Sequence, residues 1–160
     1  MVNTEALFRI GDAAEEAGNY TLARQSFERG AALGDADCLS RLAHMFDVGS
    51  GVAIDKSAAM RLYRHAWRRG STVAGMNIAI LYRERQDSRA MFQWWKRVAE
   101  TGDGSAQFEM AKCYLSGTGV KQDLQTALRC FAAAIRSTYI TEHEREEAQA
   151  LLDTLRPRQV

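Results

Sequence analysis

The feature that most restricts this chain is a spacing. A large apolar residue followed by a small one recurs as Ile10-Gly11, Leu42-Ala43, Ile78-Ala79 and Met110-Ala111. A large aromatic recurs as Phe27, Tyr63, Trp95 and Phe131. From each of the first three aromatics to the next apolar–small pair is 15 residues, while from pair to aromatic the distance alternates between 17 and 21. The four extra residues fall at one place, as Gly49-Ser50-Gly51-Val52 and Gly117-Thr118-Gly119-Val120. Such spacings fit two helices and a turn, so nearly the whole chain is four copies of one helical hairpin. Hairpins that repeat in this way stack into a solenoid, and solenoids work mostly by binding.

Capping residues and glycines agree with that division. Thr4 caps a helix running to Ala17, and Gly18-Asn19 turns into a second from Tyr20 to Leu33. Asp35 and Asp55 cap the next two, Thr72 precedes one ending at Arg85, and Asp87 caps its partner. Ser105 precedes a helix to Ser116, and Asp123 caps the last repeat helix, ending near Ser137. Side chains of these types accept hydrogen bonds from the unpaired N–H groups of a first turn. Four residues before each aromatic stand Ala23, Ala59, Met91 and Ala127, small enough, Met91 excepted, for two backbones to approach; Ala90 is the small residue nearest the exception. Beyond the repeats, Thr141-x-x-Glu144 has capping-box form and opens a helix with Ala148, Leu151, Leu152 and Leu155 on one face. Its other face is densely charged, as the terminal unit of a stack requires.

Composition excludes several function classes. The net charge of +1 gives no overall attraction to nucleic acid or an anionic membrane. The start has neither the basic nor the apolar region of a secretory signal, and no apolar run approaches the roughly 18–20 residues that cross a bilayer, so a cytoplasmic protein is expected. Cys38, Cys113 and Cys130 are odd in number and lack metal-ligand spacing, which points to small buried side chains rather than disulfides or zinc ligands. The single proline, Pro157, lies beyond the last helix.

The stretch Ala43…Phe46-x-x-Gly49-Ser-Gly51-Val52-x-x-Asp55-x-x-x-Ala59-x-x-x-Tyr63 resembles a Sel1-like repeat, a relative of the tetratricopeptide repeat. Ala111-x-x-Tyr114-x-x-Gly117-Thr-Gly119-Val120-x-x-Asp123-x-x-x-Ala127-x-x-x-Phe131 resembles it again. The resemblance implies an all-α, right-handed solenoid of four helix-turn-helix repeats, at 4–35, 36–71, 72–103 and 104–138, closed by a capping helix at 139–160 in one domain, 1–160. Repeats one and three lack the GxGV loop and resemble the shorter tetratricopeptide form.

No catalytic, cofactor or metal site is legible. GSGV and GTGV lack the Lys-Ser/Thr of a phosphate-binding loop and join helix to helix. Their glycines supply positive φ, and Val52 and Val120 close the hairpin end. His44, His65 and His143 are far apart, and Asp12, Glu15 and Glu16 form a solvated acidic face. Trp94 and Trp95 point about 100° apart on a helix, so only Trp95 belongs to the aromatic series, and Trp94 is expected to pack. Arg61, Arg64, Arg68 and Arg69 are the strongest basic cluster, on a helix that the resemblance puts on the convex side; RNA binding through it is not favoured.

In proteins of this kind the first helix of each pair lines a concave groove. Counting from the apolar anchors puts Phe8, Asp12, Glu15, His44 and Asp47 in its first half and Met76, Ile80, Arg83, Phe108, Lys112 and Leu115 in its second. The first half is acidic and the second is apolar with basic edges; Met76, Ile80 and Phe108 either meet water there or pack under the C-terminal helix. The expected function is non-catalytic binding of a protein or peptide. The resemblance implies a bacterial cytosolic immunity protein that neutralises a toxin, or a regulatory or assembly adaptor; an enzyme built in the groove is the alternative of another class.

Overall fold

The computed structural model describes residues 3–155. Among them lie nine helices and no strand: α1 (Thr4–Glu16), α2 (Tyr20–Ala32), α3 (Ala36–Val48), α4 (Lys56–Arg68), α5 (Thr72–Glu84), α6 (Ser88–Ala99), α7 (Gly104–Ser116), α8 (Leu124–Arg136) and α9 (Glu142–Leu155). Residues 156–160 of the expected capping segment lie outside the described residues. Consecutive helices pack as hairpins, α1 with α2, α3 with α4 and α7 with α8, and then on the next helix, α2 on α3 and α8 on α9. The chain is an all-α repeat solenoid.

Two compact units divide it, Met1–Ile78 and Ala79–Val160, the division falling inside α5. Each holds the same alternation, so positions 68 residues apart correspond: Phe27 with Trp95, Leu42 with Met110, Tyr63 with Phe131.

Asp35, Asp55, Asp87 and Asp123 cap their helices as expected. Two starts fall earlier than expected. Asn3, not Thr4, caps α1, its Oδ1 accepting from Glu5 N at 3.0 Å, and Asp103, not Ser105, caps α7, accepting from Ala106 N at 2.8 Å. An amide or carboxylate oxygen on a short stem competes well for these N–H groups, and the chain enters the helix at the first residue that offers one. The capping box of α9 is reciprocal: Thr141 N donates to Glu144 at 3.0 Å and Glu144 N donates to Thr141 Oγ1 at 3.2 Å. Burial works to raise the Glu144 pKa, but hydrogen bonds from Ser105 and Thr141 outweigh it and hold the carboxyl below its ordinary value. That contribution is present above the ordinary glutamate pKa and is lost as pH falls through the lowered one.

The aromatics are the centres of packing. Phe27, Tyr63 and Phe131 are fully buried, and Trp95 nearly so. A Cβ on Gly11 would lie 2.5 Å from Phe27 Cε1, so only glycine lets α1 approach the ring. Ala14, Ala23, Phe27, Cys38, Leu42 and Met45 form one buried cluster of the first unit. In the second, Phe108, Ala111, Ala127 and Phe131 form one cluster with Ala148 and Leu152 of α9. Met91 is itself buried and takes the small-residue position, leaving Ala90 only partly covered. The anchors differ in burial: Leu42 and Ile78 are buried, Met110 is partly covered and Ile10 is 48% exposed.

The long loops do more than turn. A Cβ on Gly51 would collide with Tyr20, the first residue of α2, and one on Gly119 would collide with the carbonyl of Ser88, the first residue of α6. Each GxGV loop leans back on the start of the second helix in the preceding, shorter hairpin. The alternation of turn lengths follows: the short turn leaves the space that the next loop fills.

The short turns differ from each other at the residue that takes positive φ. Gly18 has φ +74° and open space where a Cβ would stand, whereas its counterpart Gln86 holds φ +59°. A side chain in that region costs about 1 kcal/mol or more, so Gln86→Gly should raise stability by about 0.5–1 kcal/mol and Gly18→Ala should lower it by a similar amount. Paired denaturant melts measure both; opposite signs are the expected result.

Candidate functional site

The first-of-pair helices carry the expected binding residues, and their charges prove to be paired. In the first unit Arg41 of α3 reaches α1, its Nη2 donating to Asp12 Oδ1 at 2.6 Å and Glu15 Oε2 at 2.7 Å. Its guanidinium also lies 5.8 Å from the Phe27 ring centroid. In the second unit Arg83 of α5 donates to Glu109 of α7 at 2.6 Å and lies 5.6 Å from the Trp95 ring centroid. Glu15 corresponds to Arg83, Arg41 to Glu109 and Phe27 to Trp95 across the 68-residue period. One device thus occurs twice with its charges exchanged: an ion pair between neighbouring hairpins, with the cation against the wedge aromatic.

Arg41 and Glu109 each stand directly before an apolar anchor, a position that counting two residues either side of the anchor passes over. The signal was present as opposite charges at corresponding positions of the two units.

The acidic set of the first unit is accordingly muted. Asp12 and Glu15 share Arg41, which leaves one negative charge. Asp47 is buried and accepts from Lys56 Nζ at 2.6 Å and Tyr63 Oη at 3.3 Å. Phe8 is half-buried against Phe27, ring centroids 6.1 Å apart. His44 is partly exposed, and among the described residues its Nδ1 and the Nε of Arg41 are buried without hydrogen-bond partners. Met76 is half-buried.

In the second unit Ile80 is exposed, Leu115 is partly buried against the core, and Arg83 and Lys112 both meet Glu109, the lysine at 3.1 Å. Two cations on one carboxylate leave one positive charge. They border a cleft of about 290 Å³ with Met91, Glu109, Ser116 and Thr118. Phe108 does not face water. It is 1% exposed, its ring 5.7 Å from that of Phe131, in the cluster completed by α9; the apolar face of α9 takes it out of any surface.

Other side chains pointed elsewhere than to a binding surface. Trp94 is buried, with Arg97 4.9 Å from its ring centroid. Cys38, Cys113 and Cys130 are free thiols. Burial pushes Cys38 up to about 12, helped by Asp35 and Asp37, and Cys113 up to about 11, helped by Glu109; burial raises Cys130 as well. Cys130 is only partly buried and lines a second cleft of about 290 Å³ with Lys96, Gln107, Met110, Tyr114 and Arg129. Among the described residues no helix is long and apolar enough to cross a membrane.

With this geometry in view, residues 36–71 and 104–139 each match the Sel1 repeat family model. Two solved structures are similar. One is c5321, a protective antigen of uropathogenic Escherichia coli with an SLR fold, at TM-score 0.77 and 27% identity over 96% of this chain and 33% of that one. The other is a Sel1 repeat protein from Oxalobacter formigenes, at TM-score 0.77 and 28% identity over 95% of this chain and 60% of that one. The chain spans about a third and three-fifths of their lengths. No curated protein matches it. The chain thus carries two Sel1 repeats, one at 36–71 and one at 104–139. Sel1 repeats are in general protein–protein interaction modules rather than catalysts.

Two outcomes follow from the site. Glu15→Arg alone should cost about 1–2 kcal/mol by setting two guanidinium groups together, and adding Arg41→Glu, which copies the second unit, should recover at least half; a double-mutant cycle in urea measures the coupling. Thiol labelling at pH 8 should modify Cys130 first and reach Cys38 and Cys113 only on unfolding, which mass spectrometry of digests would show.

Proposed function

We propose that the chain is a non-catalytic module that captures a partner protein on its first-of-pair helices, with the cleft beside Arg83 and Lys112 taking an acidic group of the partner. The observation that carries this reading is the uneven pairing in that cleft. Arg83 and Lys112 are half exposed and share the single carboxylate of Glu109, so a positive charge is left beside the exposed side chain of Ile80. Held in place by Glu109 and Trp95, the guanidinium loses little freedom when a partner carboxylate arrives, which favours binding. Asp12 and Glu15 at the Arg41 pair steer a basic part of the partner.

Neutralisation of a toxin by a cytosolic immunity protein is the narrower role within this reading, and the family resemblance is what supports it. Co-purification from the source cell identifies the partner, and surface plasmon resonance then measures variants. Arg83→Glu with Lys112→Glu should weaken binding more than tenfold, about 1.4 kcal/mol, whereas Arg61→Glu with Arg68→Glu on α4 should leave it within twofold. The reverse pattern would overturn the reading. A partner that kills cells when expressed alone, and not when the chain is co-expressed, establishes the immunity role; a partner without toxicity places the chain among adaptors.

A further inference from the structure

The two GxGV loops share a backbone and differ in what they show to solvent. Gly49 and Gly117 have φ +80° and +76°, and Gly51 and Gly119 have +68° and +73°. The loop hydrogen bonds also match: Ser50 N to Met45 O at 3.0 Å and Thr118 N to Cys113 O at 3.1 Å, then Asp55 N to Phe46 O and Asp123 N to Tyr114 O, both at 2.9 Å. On this common frame the second unit carries Ser88, Ser116 and Gln122, and the first carries Tyr20, Val48 and Ile54. Two of the polar set are satisfied locally, Ser116 Oγ lying 2.7 Å from Thr118 Oγ1 and Gln122 Nε2 donating to Leu115 O at 2.7 Å. The apolar set is 41%, 50% and 63% exposed.

The fold therefore does not require apolar side chains at these positions. The loop's inward residue, Val52, already packs on the core. Gly51 lies against Tyr20 and Gly49 against Ile54, which makes the exposed residues neighbours along one loop edge. Large apolar side chains gathered on a surface, where polar ones serve the same backbone in the other unit, mark a contact site.

The charge beside them identifies the occupant. The second loop carries Lys121 with Asp123 and is neutral, whereas the first has Ala53 in place of the lysine, so its Asp55 is unbalanced within the loop. Asp55 is exposed, and its Oδ1 accepts the capping bonds from Ser57 N at 3.0 Å and Ala58 N at 2.8 Å. Lys56, next to it, lies 2.6 Å from Asp47 through its Nζ. The geometry points to the Tyr20–Val48–Ile54 edge as a second docking surface, separate from the Arg83–Lys112 cleft, for a protein segment whose apolar side chains stand next to a lysine or arginine.

The test pans a phage-displayed random peptide library on the intact chain, with counter-selection on Tyr20→Ser/Val48→Ser/Ile54→Gln. That variant borrows residues the second unit already carries on the same backbone, and circular dichroism melts check that it folds. The enriched consensus, synthesised with a fluorophore, is titrated by anisotropy. Apolar residues beside a basic one are expected, with affinity falling more than tenfold on the triple variant and several-fold on Asp55→Asn, which keeps the cap. Arg83→Glu/Lys112→Glu should leave this peptide's affinity unchanged, so this surface and the cleft stand or fall separately. Equal binding to wild type and triple variant overturns the proposal, as does an acidic consensus. Sedimentation showing a wild-type dimer that the triple variant returns to monomer would make the occupant a second copy of the chain and overturn it equally.

Discussion

Everything in this molecule depends on an aromatic ring laid against a residue with little or no side chain. Phe27 fits its hairpin because Gly11 has no Cβ, and the matching positions elsewhere hold fully buried alanines. Close approach of two helix backbones at that point buries the ring completely and sets where the next helix can pack. The ring fits where the small residue stands, so the hairpin register and the spacing in the sequence express the same constraint.

A second constraint couples hairpins in twos. Gly51 and Gly119 have no side chain where the loop crosses the first turn of the preceding hairpin's second helix. The loop can lie there only because that hairpin turns sharply, through Gly18 in one unit and Gln86 in the other. The repeat that the backbone recognises is thus 68 residues, one short turn and one long. Internal correspondence at that distance supplies a comparison that a single sequence does not otherwise contain. It separates what the fold needs, glycines and aspartate caps present in both copies, from what one copy has and the other lacks.

By that comparison the Glu15–Arg41 and Arg83–Glu109 pairs are one structural device with freedom of sign. The pairs tie neighbouring first-of-pair helices at 2.7 and 2.6 Å, and the cations lie 5.8 and 5.6 Å from the centroids of buried aromatic rings. Since either polarity serves the packing, the polarity present is open to be set by what the surface meets. Lys112 joining Glu109 makes the second unit's pair positive, and Asp12 joining Arg41 makes the first unit's negative.

Helix number, hairpin order and most caps were legible from the sequence, because each rests on local chemistry: an oxygen that reaches an unpaired N–H, a glycine that permits positive φ, an apolar residue every third or fourth position. The anchors and the aromatic wedge were legible for the same reason, since their spacing repeats. What only tertiary structure decided was which of the remaining side chains meet water. Phe108 and Ile80 occupy groove positions by the same counting, yet Phe108 is sealed by Ala148 and Leu152 of a helix some forty residues away while Ile80 stays exposed. Asp47 and Glu15 were legible as acids, but not that Lys56 and Arg41 close on them. Periodicity fixes the direction in which a side chain leaves its helix; burial and ion pairing depend on what arrives from another helix, and that is a property of the folded chain.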